Sequence, residues 1–117
     1  MKNTEVNHHL FISAAEVDRN TASLIGFALK SRQAVKGFEG VSRAAASGDL
    51  DIILFRPELS ENTRKKIMQA TSGLKVLLVE TRTNSDWKEL WGIPQRIMGI
   101  RKGELGKSIT RNFKSGE

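Results

Sequence analysis

Short apolar runs alternate with amphipathic stretches along most of this chain. Runs at 50–55 and 76–79 are almost continuous in hydrophobic residues, which is typical of strands covered on both faces. The stretches between such runs place hydrophobic residues three or four positions apart, which is typical of helices with one buried face. The pattern predicts strands over about 33–36, 50–55, 76–79 and 96–100, and helices over about 14–31, 38–47, 61–71 and 104–113. It also predicts a short helix that is capped within 83–85, carries Trp87, Leu90 and Trp91, and is closed by Gly92.

The order of these elements predicts the fold class. Ser13 and Glu16 have the spacing of a capping box, so we expect the first helix to begin at Ala14. Because strands and helices alternate, we expect an α/β fold with helices on both faces of a small sheet. No linker or repeat divides the chain. We therefore expect one domain over 13–113, a flexible N-terminal tail over 1–12 and a short C-terminal tail over 114–117.

The amino-acid composition limits the kinds of molecule that the protein is expected to bind. The 117 residues carry a formal net charge of +6, which favours an anionic partner such as RNA, DNA or an acidic membrane surface. The absence of cysteine excludes disulfides, thiolate nucleophiles and cysteine-bound zinc. No apolar run approaches the roughly 20 residues that cross a bilayer, and no charged-then-apolar leader opens the chain. We expect a soluble, cytoplasmic protein with no membrane partner.

Residues 30–43 form the strongest candidate site. This stretch holds four basic residues against one acid, Glu39; the basic residues are Lys30, Arg32, Lys36 and Arg43. A short strand there leads through Gly37 into a helix, and a helix N-terminus presents unpaired N–H groups that attract anions. The basic side chains make phosphate the natural ligand, and a nucleic acid its natural source. A plain surface turn with solvated side chains is the competing interpretation.

Two motifs invite a catalytic interpretation and fail to support it. The triplet Gly106-Lys107-Ser108 suggests a phosphate loop, but Arg101 stands where that motif requires a glycine. Asp49 and Asp51 share one face of a strand entrance, yet no histidine, lysine or metal site accompanies them. Surface residues of a helix and an ordinary strand edge explain both motifs better. We therefore expect a protein that is not an enzyme and takes no cofactor or small-molecule substrate.

The histidines and tryptophans have structural explanations as well. His8 and His9 are adjacent and could hold a metal weakly, but no other histidine accompanies them, so we expect no metal site. Trp87 and Trp91 lie four residues apart and share a helical face. One of them could stack on an unpaired base, although packing in the core is the favoured interpretation because the chain has few aromatic residues.

Four blocks of the sequence resemble the ribosomal protein L-seven-Ae superfamily of kink-turn RNA-binding proteins, and most closely its bacterial, ribosomal-protein-like members. The blocks are LIGFALKSRQAVKG, GFEGVSR, LDIILFRPELSENTRKK and KVLLVE, followed by a strand–helix pair at the end. The resemblance covers about residues 17–113 in order. It implies a three-layer α-β-α sandwich with a four-stranded mixed sheet, and RNA bound at the start of the second helix.

The resemblance also implies roles for individual positions. In the family that helix start carries a glycine, an asparagine and a glutamate that read sheared G·A pairs, and a basic residue on the RNA backbone. Here Gly37 is the glycine and Arg43 the basic residue, whereas Glu39 stands at the asparagine position and Gly40 at the glutamate position. The family cradles an extruded nucleotide with the loop before its last strand. In this chain Ile93 could supply an apolar contact there and Arg96 a phosphate contact.

These observations predict a non-enzymatic protein that binds structured RNA, such as ribosomal RNA or a kink-turn, with altered or relaxed specificity. The contact residues would be Arg32, Lys36, Gly37, Phe38, Glu39, Gly40, Arg43, Ile93 and Arg96. We expect a monomer. Two alternatives stay open: a protein-interaction module that kept the fold and lost RNA binding, and a remnant of the related substrate-recognition domain that precedes RNA methyltransferases.

Overall fold

Strands and helices alternate along the chain, as the hydrophobic pattern predicts. The computed structural model describes residues 10–83 and 85–115, and within them five strands and five helices form. The strands are β1 (Leu10–Glu16), β2 (Ala34–Lys36), β3 (Leu50–Phe55), β4 (Leu77–Arg82) and β5 (Ile97–Arg101). The helices are α1 (Arg19–Lys30), α2 (Phe38–Ala46), α3 (Glu61–Ala70), α4 (Trp87–Trp91) and α5 (Glu104–Ser115). None of these described helices is long and apolar enough to span a bilayer.

The sheet is mixed, and its topology decides which loops meet. The strand order is β1-β4-β3-β5-β2, with β1, β4 and β3 parallel to one another. Strand β5 is antiparallel to both β3 and β2, so β2 and β3 run in the same direction. The last residues of β2 and β3 therefore lie at the same end of the sheet as the first residues of β5.

Helices cover both faces of the sheet, which gives the expected three layers. Side chains of β3 alternate between the two faces: Ile52 and Leu54 join one core cluster, and Ile53 and Phe55 join the other. The first cluster includes buried residues of α1, α4 and α5; the second includes those of α2 and α3. Because β3 is buried on both faces, its nearly continuous apolar run is what the fold requires.

The N-terminal part of the domain differs from the prediction. The expected helix start at Ala14 is wrong, because residues 10–16 form β1, the fifth strand of a sheet expected to have four. Helix α1 begins at Arg19, where the Asp18 carboxylate accepts a hydrogen bond of 2.8 Å from the N–H of Thr21. Parallel pairing with β4 outweighs the local capping-box spacing. Residues 10–12 thus lie in β1, while His8, His9 and the rest of the predicted tail lie outside the described residues.

A carboxylate holds this edge strand in place. The strand register shifts between Ile12 and Ala15, and Ala14 has a positive φ of 52°. At this irregularity the Ser13 hydroxyl and the Ala14 N–H both donate to Glu80 Oε1 at 3.1 Å. Arg64 of α3 donates to Glu80 Oε2 at 3.0 Å. Glu80 therefore joins β1, β4 and α3.

The Glu80 network predicts a pH dependence of stability. Burial raises the pKa of the Glu80 carboxyl, but hydrogen bonds from Arg64, Ser13 and Ala14 lower it, and the lowering prevails. A lowered pKa contributes stability that is complete above the pKa of an unfolded glutamate, about 4.3, and is lost as pH falls through the folded pKa. Glu80→Gln should lower the free energy of unfolding by about 1–3 kcal/mol near neutral pH.

Urea unfolding near neutral pH and again in acid, about one pH unit below that reference pKa, tests this prediction. The difference between wild type and Glu80→Gln should shrink in acid. Glu16→Gln, at an exposed position of the same strand β1, is the charge-matched control and should change stability little at either pH. A Glu80→Gln penalty that is equal at both pH values would contradict the assigned role of the ionised carboxylate.

Candidate functional site

The start of α2 leaves backbone donors unpaired. Gly37 occupies the cap position with φ 86° and ψ 160°, a conformation that favours glycine, and it offers no side chain to cap the helix. Its own N–H donates to Ile97 O of β5 at 2.9 Å, and its carbonyl accepts from Val41 N at 3.0 Å. The next three N–H groups, of Phe38, Glu39 and Gly40, have no hydrogen-bond partner among the described residues. This helix end is therefore an anion-attracting surface.

Basic side chains surround these donors. Lys36, just before the cap, and Arg43, in the last turn of the short helix α2, are both exposed. Arg43 shares a helical face with Glu39 and Gly40 and has no salt-bridge partner among the described residues. From the neighbouring helix α3, Lys66 places its ammonium 5.8 Å from the centre of the Phe38 ring. Positive charge from two helices thus converges on the α2 start.

The loop before β5 lies against the same helix start. A Cβ added to Gly37 would lie 3.6 Å from Gln95 Cγ, which shows how closely the loop approaches the cap. The N–H of Arg56, just after β3, donates to the Arg96 carbonyl at 2.9 Å and fixes the loop to the end of the sheet. Arg96 is exposed at this position. The α2 start and the loop therefore form one continuous surface.

A polar cavity of about 320 Å³ lies behind this loop. Two buried atoms on residues that line it, Trp87 Nε1 and Gln95 Oε1, have no hydrogen-bond partner among the described residues, and Arg56 Nη1 makes no hydrogen bond but lies 3.6 Å from Asp86 Oδ1. Buried polar atoms without partners are rare in folded proteins and cost stability. Two such atoms lie on residues of this one cavity, whose lining is mostly polar or charged.

Arg56 is also the charged centre of this cavity. It donates to Glu58 at 2.9 Å and lies 3.6 Å from Asp86. The hydrogen bond to Glu58 raises the pKa of the Arg56 guanidinium against the effect of burial. The same hydrogen bond lowers the pKa of the Glu58 carboxyl, which also feels the positive charge of Arg96. Both groups are therefore charged at neutral pH.

The structure brings together most of the predicted contact residues. Seven lie on the surface around the α2 start and the adjoining loop: Lys36, Gly37, Phe38, Glu39, Gly40, Arg43 and Arg96. Arg32 lies at the opposite end of β2, about 16 Å along an extended chain from Gly37. Ile93 is only 5% exposed and packs in the core with α1 and α5, so it has little surface to offer a ligand.

Sequence reasoning missed several residues of this surface. Gln95 stands between two residues that were considered, but nothing in its sequence context indicates a buried amide. Lys66 belongs to the basic run Arg64-Lys65-Lys66, and the sequence of one helix does not show which other helix such a run faces. Arg56 directly follows a buried strand. A charged residue at the end of such a strand is the one sequence feature that could have indicated a site there.

The remaining candidates have structural roles. Asp49 forms a salt bridge with Arg101, and Asp51 accepts a hydrogen bond of 3.1 Å from the Gly103 N–H. Gly106, from the apparent phosphate-loop triplet, is buried within α5. The described residues contain no group of three or more histidine, cysteine, aspartate or glutamate side chains that could hold a metal.

The two tryptophans belong to the packing between helices. Trp87 is 1% exposed, and its ring contacts that of Trp91 edge-on, with 5.5 Å between the centroids. Trp91 is half-buried and donates from Nε1 to the Ala22 carbonyl of α1 at 2.9 Å. Stacking of either ring on a nucleobase is therefore not favoured by this arrangement.

Solved structures share this fold. The chain is similar to a protein with unknown function from Bacillus halodurans C, with a TM-score of 0.70 and 19% identity over 83% of this chain and 99% of that one. It is also similar to the Giardia lamblia 15.5kD RNA binding protein, with a TM-score of 0.58 and 9% identity over 84% of this chain and 91% of that one. No protein-family model and no curated protein sequence matches the chain. At such identities the similarity shows the fold alone.

Proposed function

We propose that this protein binds structured RNA through the start of α2 and the adjoining loop before β5, without catalysing a reaction. The observation that carries the proposal is the set of three unpaired N–H groups at Phe38, Glu39 and Gly40, with Lys36 and Arg96 at the same helix end and Arg43 further along the same helix face. Backbone donors and basic side chains at one helix end suit a phosphodiester backbone. The polar cavity behind the loop, lined by Arg56, Gln95 and Arg96, is where we place a nucleotide that is extruded from the RNA stack.

The fold supports the same proposal. One structural neighbour is an RNA-binding protein, and the sequence blocks that resemble the L-seven-Ae superfamily imply RNA contact at this same helix start. We infer that the chain uses the surface in the same way, with a kink-turn or another structured RNA as the ligand. The positive net charge suits such a partner.

Specificity should differ from that of the family. The amide and carboxylate that read sheared G·A pairs are replaced by Glu39 and Gly40. Affinity would then come mainly from phosphate contacts, which position the protein on RNA and weaken steeply with salt. The exposed Glu39 carboxylate would repel phosphates unless it accepts from a base amine.

A charge reversal at Arg43 tests the surface. Arg43→Glu should weaken binding to a kink-turn RNA by more than about tenfold, because it replaces an attraction to phosphate by a repulsion. Its melting temperature should stay within a few degrees of wild type, since the side chain is exposed. Gel-shift titration and thermal unfolding measure the two effects.

Arg111→Glu is the matched control for Arg43→Glu. It makes the same change of charge at an exposed position of α5, on the opposite face of the sheet from α2. Its affinity for RNA should fall by less than about threefold, through the change of net charge alone. Equal losses in the two variants would mean that binding is diffuse, and an unchanged affinity in Arg43→Glu would remove α2 from the site.

Restoring the family pattern provides a second test. A Cβ at Gly40 would meet only Val35 Cβ at 3.8 Å, an ordinary contact, so a side chain fits there. The double variant Glu39→Asn with Gly40→Glu should bind a kink-turn RNA at least about tenfold more tightly than wild type, since one bidentate base contact contributes about 1–3 kcal/mol. Fluorescence anisotropy at fixed salt measures the affinities.

The control for this gain is an RNA that lacks the sheared G·A pairs. Wild-type protein should bind the two RNAs with similar affinity, whereas the double variant should discriminate between them. If wild type already discriminates strongly, Glu39 or another group reads the pairs and the inference of relaxed specificity is wrong.

A further inference from the structure

A second groove runs between α1 and α4, on the face of the sheet opposite α2. Its volume is about 820 Å³. One face of α1 forms its wall, with residues spaced by about one helical turn, Arg19, Ser23, Phe27 and Lys30, and with Gly26 beside Phe27. Leu90 and Trp91 of α4 form the other side. Nothing in the contacts around the α2 start accounts for this groove.

Close packing of the two helices shapes the groove. Trp91 is anchored by its hydrogen bond to the Ala22 carbonyl, and its Cδ1 would lie 3.6 Å from a Cβ at Gly26. The hydrogen bond therefore fixes the indole of Trp91 beside Gly26 at the base of the groove. Phe27 lines the same groove with 58% of its surface exposed, although most large hydrophobic residues of the described chain are buried.

The charged residues that line the groove are all positive. Arg19, Lys30 and Lys36 line the groove, and no aspartate or glutamate is among the described residues that do so. Helix α1 carries no acid in its first turn, and Lys30 is in its last turn. An aromatic ring between cations along an open groove is the arrangement that accepts single-stranded nucleic acid, whose bases stack and whose phosphates pair.

The groove is continuous with the proposed RNA surface. Lys36 belongs to both, since it precedes the Gly37 cap and also lines the groove. Gly92 and Ile93, at the start of the loop before β5, line the groove as well. A strand that leaves a structured RNA at the α2 start can therefore enter the groove without crossing an acidic surface.

We propose that the α1–α4 groove binds a single-stranded extension of the RNA held at α2, with one base stacked on Phe27 and phosphates at Arg19, Lys30 and Lys36. The inference rests on the proposed function, because it takes the RNA at α2 as the source of the strand. An acidic amphipathic peptide is the competing occupant. The continuity of the groove with the α2 surface through Lys36 favours RNA, because its extension would already lie close to the groove, and the exposed Phe27 ring offers a face to a base.

Three RNA probes separate the groove from the α2 site. They are a kink-turn RNA with blunt ends, the same RNA with a tail of about six adenosines on either end, and the adenosine oligomer alone. Fluorescence anisotropy gives the affinity of each for wild type and three variants. Phe27→Ala removes the ring, Phe27→Leu keeps an apolar side chain without a stacking face, and Leu74→Ala removes an exposed leucine outside the groove as the control.

We expect a tail on at least one end to raise the affinity of wild type and of Leu74→Ala by at least about fivefold. Phe27→Ala and Phe27→Leu should both lose that gain and bind the blunt RNA as wild type does. Retention of the gain in Phe27→Leu would overturn base stacking. The absence of any gain from a tail would overturn the groove proposal and leave RNA binding at α2 intact.

Failure of the proposed function gives a different result. If the blunt RNA does not bind but the adenosine oligomer binds and depends on Phe27, the α2 proposal is wrong, and the groove binds single-stranded RNA that does not come from an RNA held at α2. If none of the three probes binds, both proposals are wrong, and an acidic peptide becomes the occupant to test.

Discussion

One hydrogen bond sets up the surface on which the proposed function depends. The Gly37 N–H donates to Ile97 O, and this bond holds the end of β2 against the start of β5 while the chain turns into α2. The N–H of Gly37 is used in the sheet, and Gly37 has no side chain that could cap the helix. The N–H groups of the next three residues are therefore left without partners among the described residues. A serine or aspartate side chain in that place would satisfy a donor and reduce its availability to an anion. The start of α2 therefore lacks the stability that a side-chain cap would add, and its donors stay available to an anion.

The sheet topology places other loops beside this turn, and together they form an extended surface. Because β2 and β3 end at the same side of the sheet where β5 begins, the α2 start, Arg56 and the loop before β5 meet there. The Arg56 N–H fixes the loop through the Arg96 carbonyl, and buried polar atoms without partners gather behind it. Like the uncapped helix, this cavity gives up stability that apolar packing would supply. Both features lie at one end of the molecule, whereas the apolar clusters elsewhere are packed as an ordinary core.

Sequence reasoning succeeded where the signal was local. The continuous apolar run predicted β3, and the glycine before α2 predicted the start of that helix. The predicted bounds of both elements agree with the structure to within a residue or two. It failed where distant parts of the chain decide the outcome. Ser13 and Glu16 have the spacing of a helix cap, yet pairing with β4 makes the segment a strand. An isoleucine in a polar loop resembles a ligand contact, but the helices that bury Ile93 lie elsewhere in sequence. The cavity behind Gln95 joins three loop and strand ends, so no single window of sequence could show it.

The most direct test of this account is to follow the backbone amide resonances of the protein by NMR while a kink-turn RNA is added. The account predicts that the largest shifts fall on Phe38, Glu39 and Gly40, with the amides of Gln95 and Arg96 moving alongside them. Shifts concentrated on α5 or spread evenly over the surface, with the three α2 amides unmoved, would contradict it.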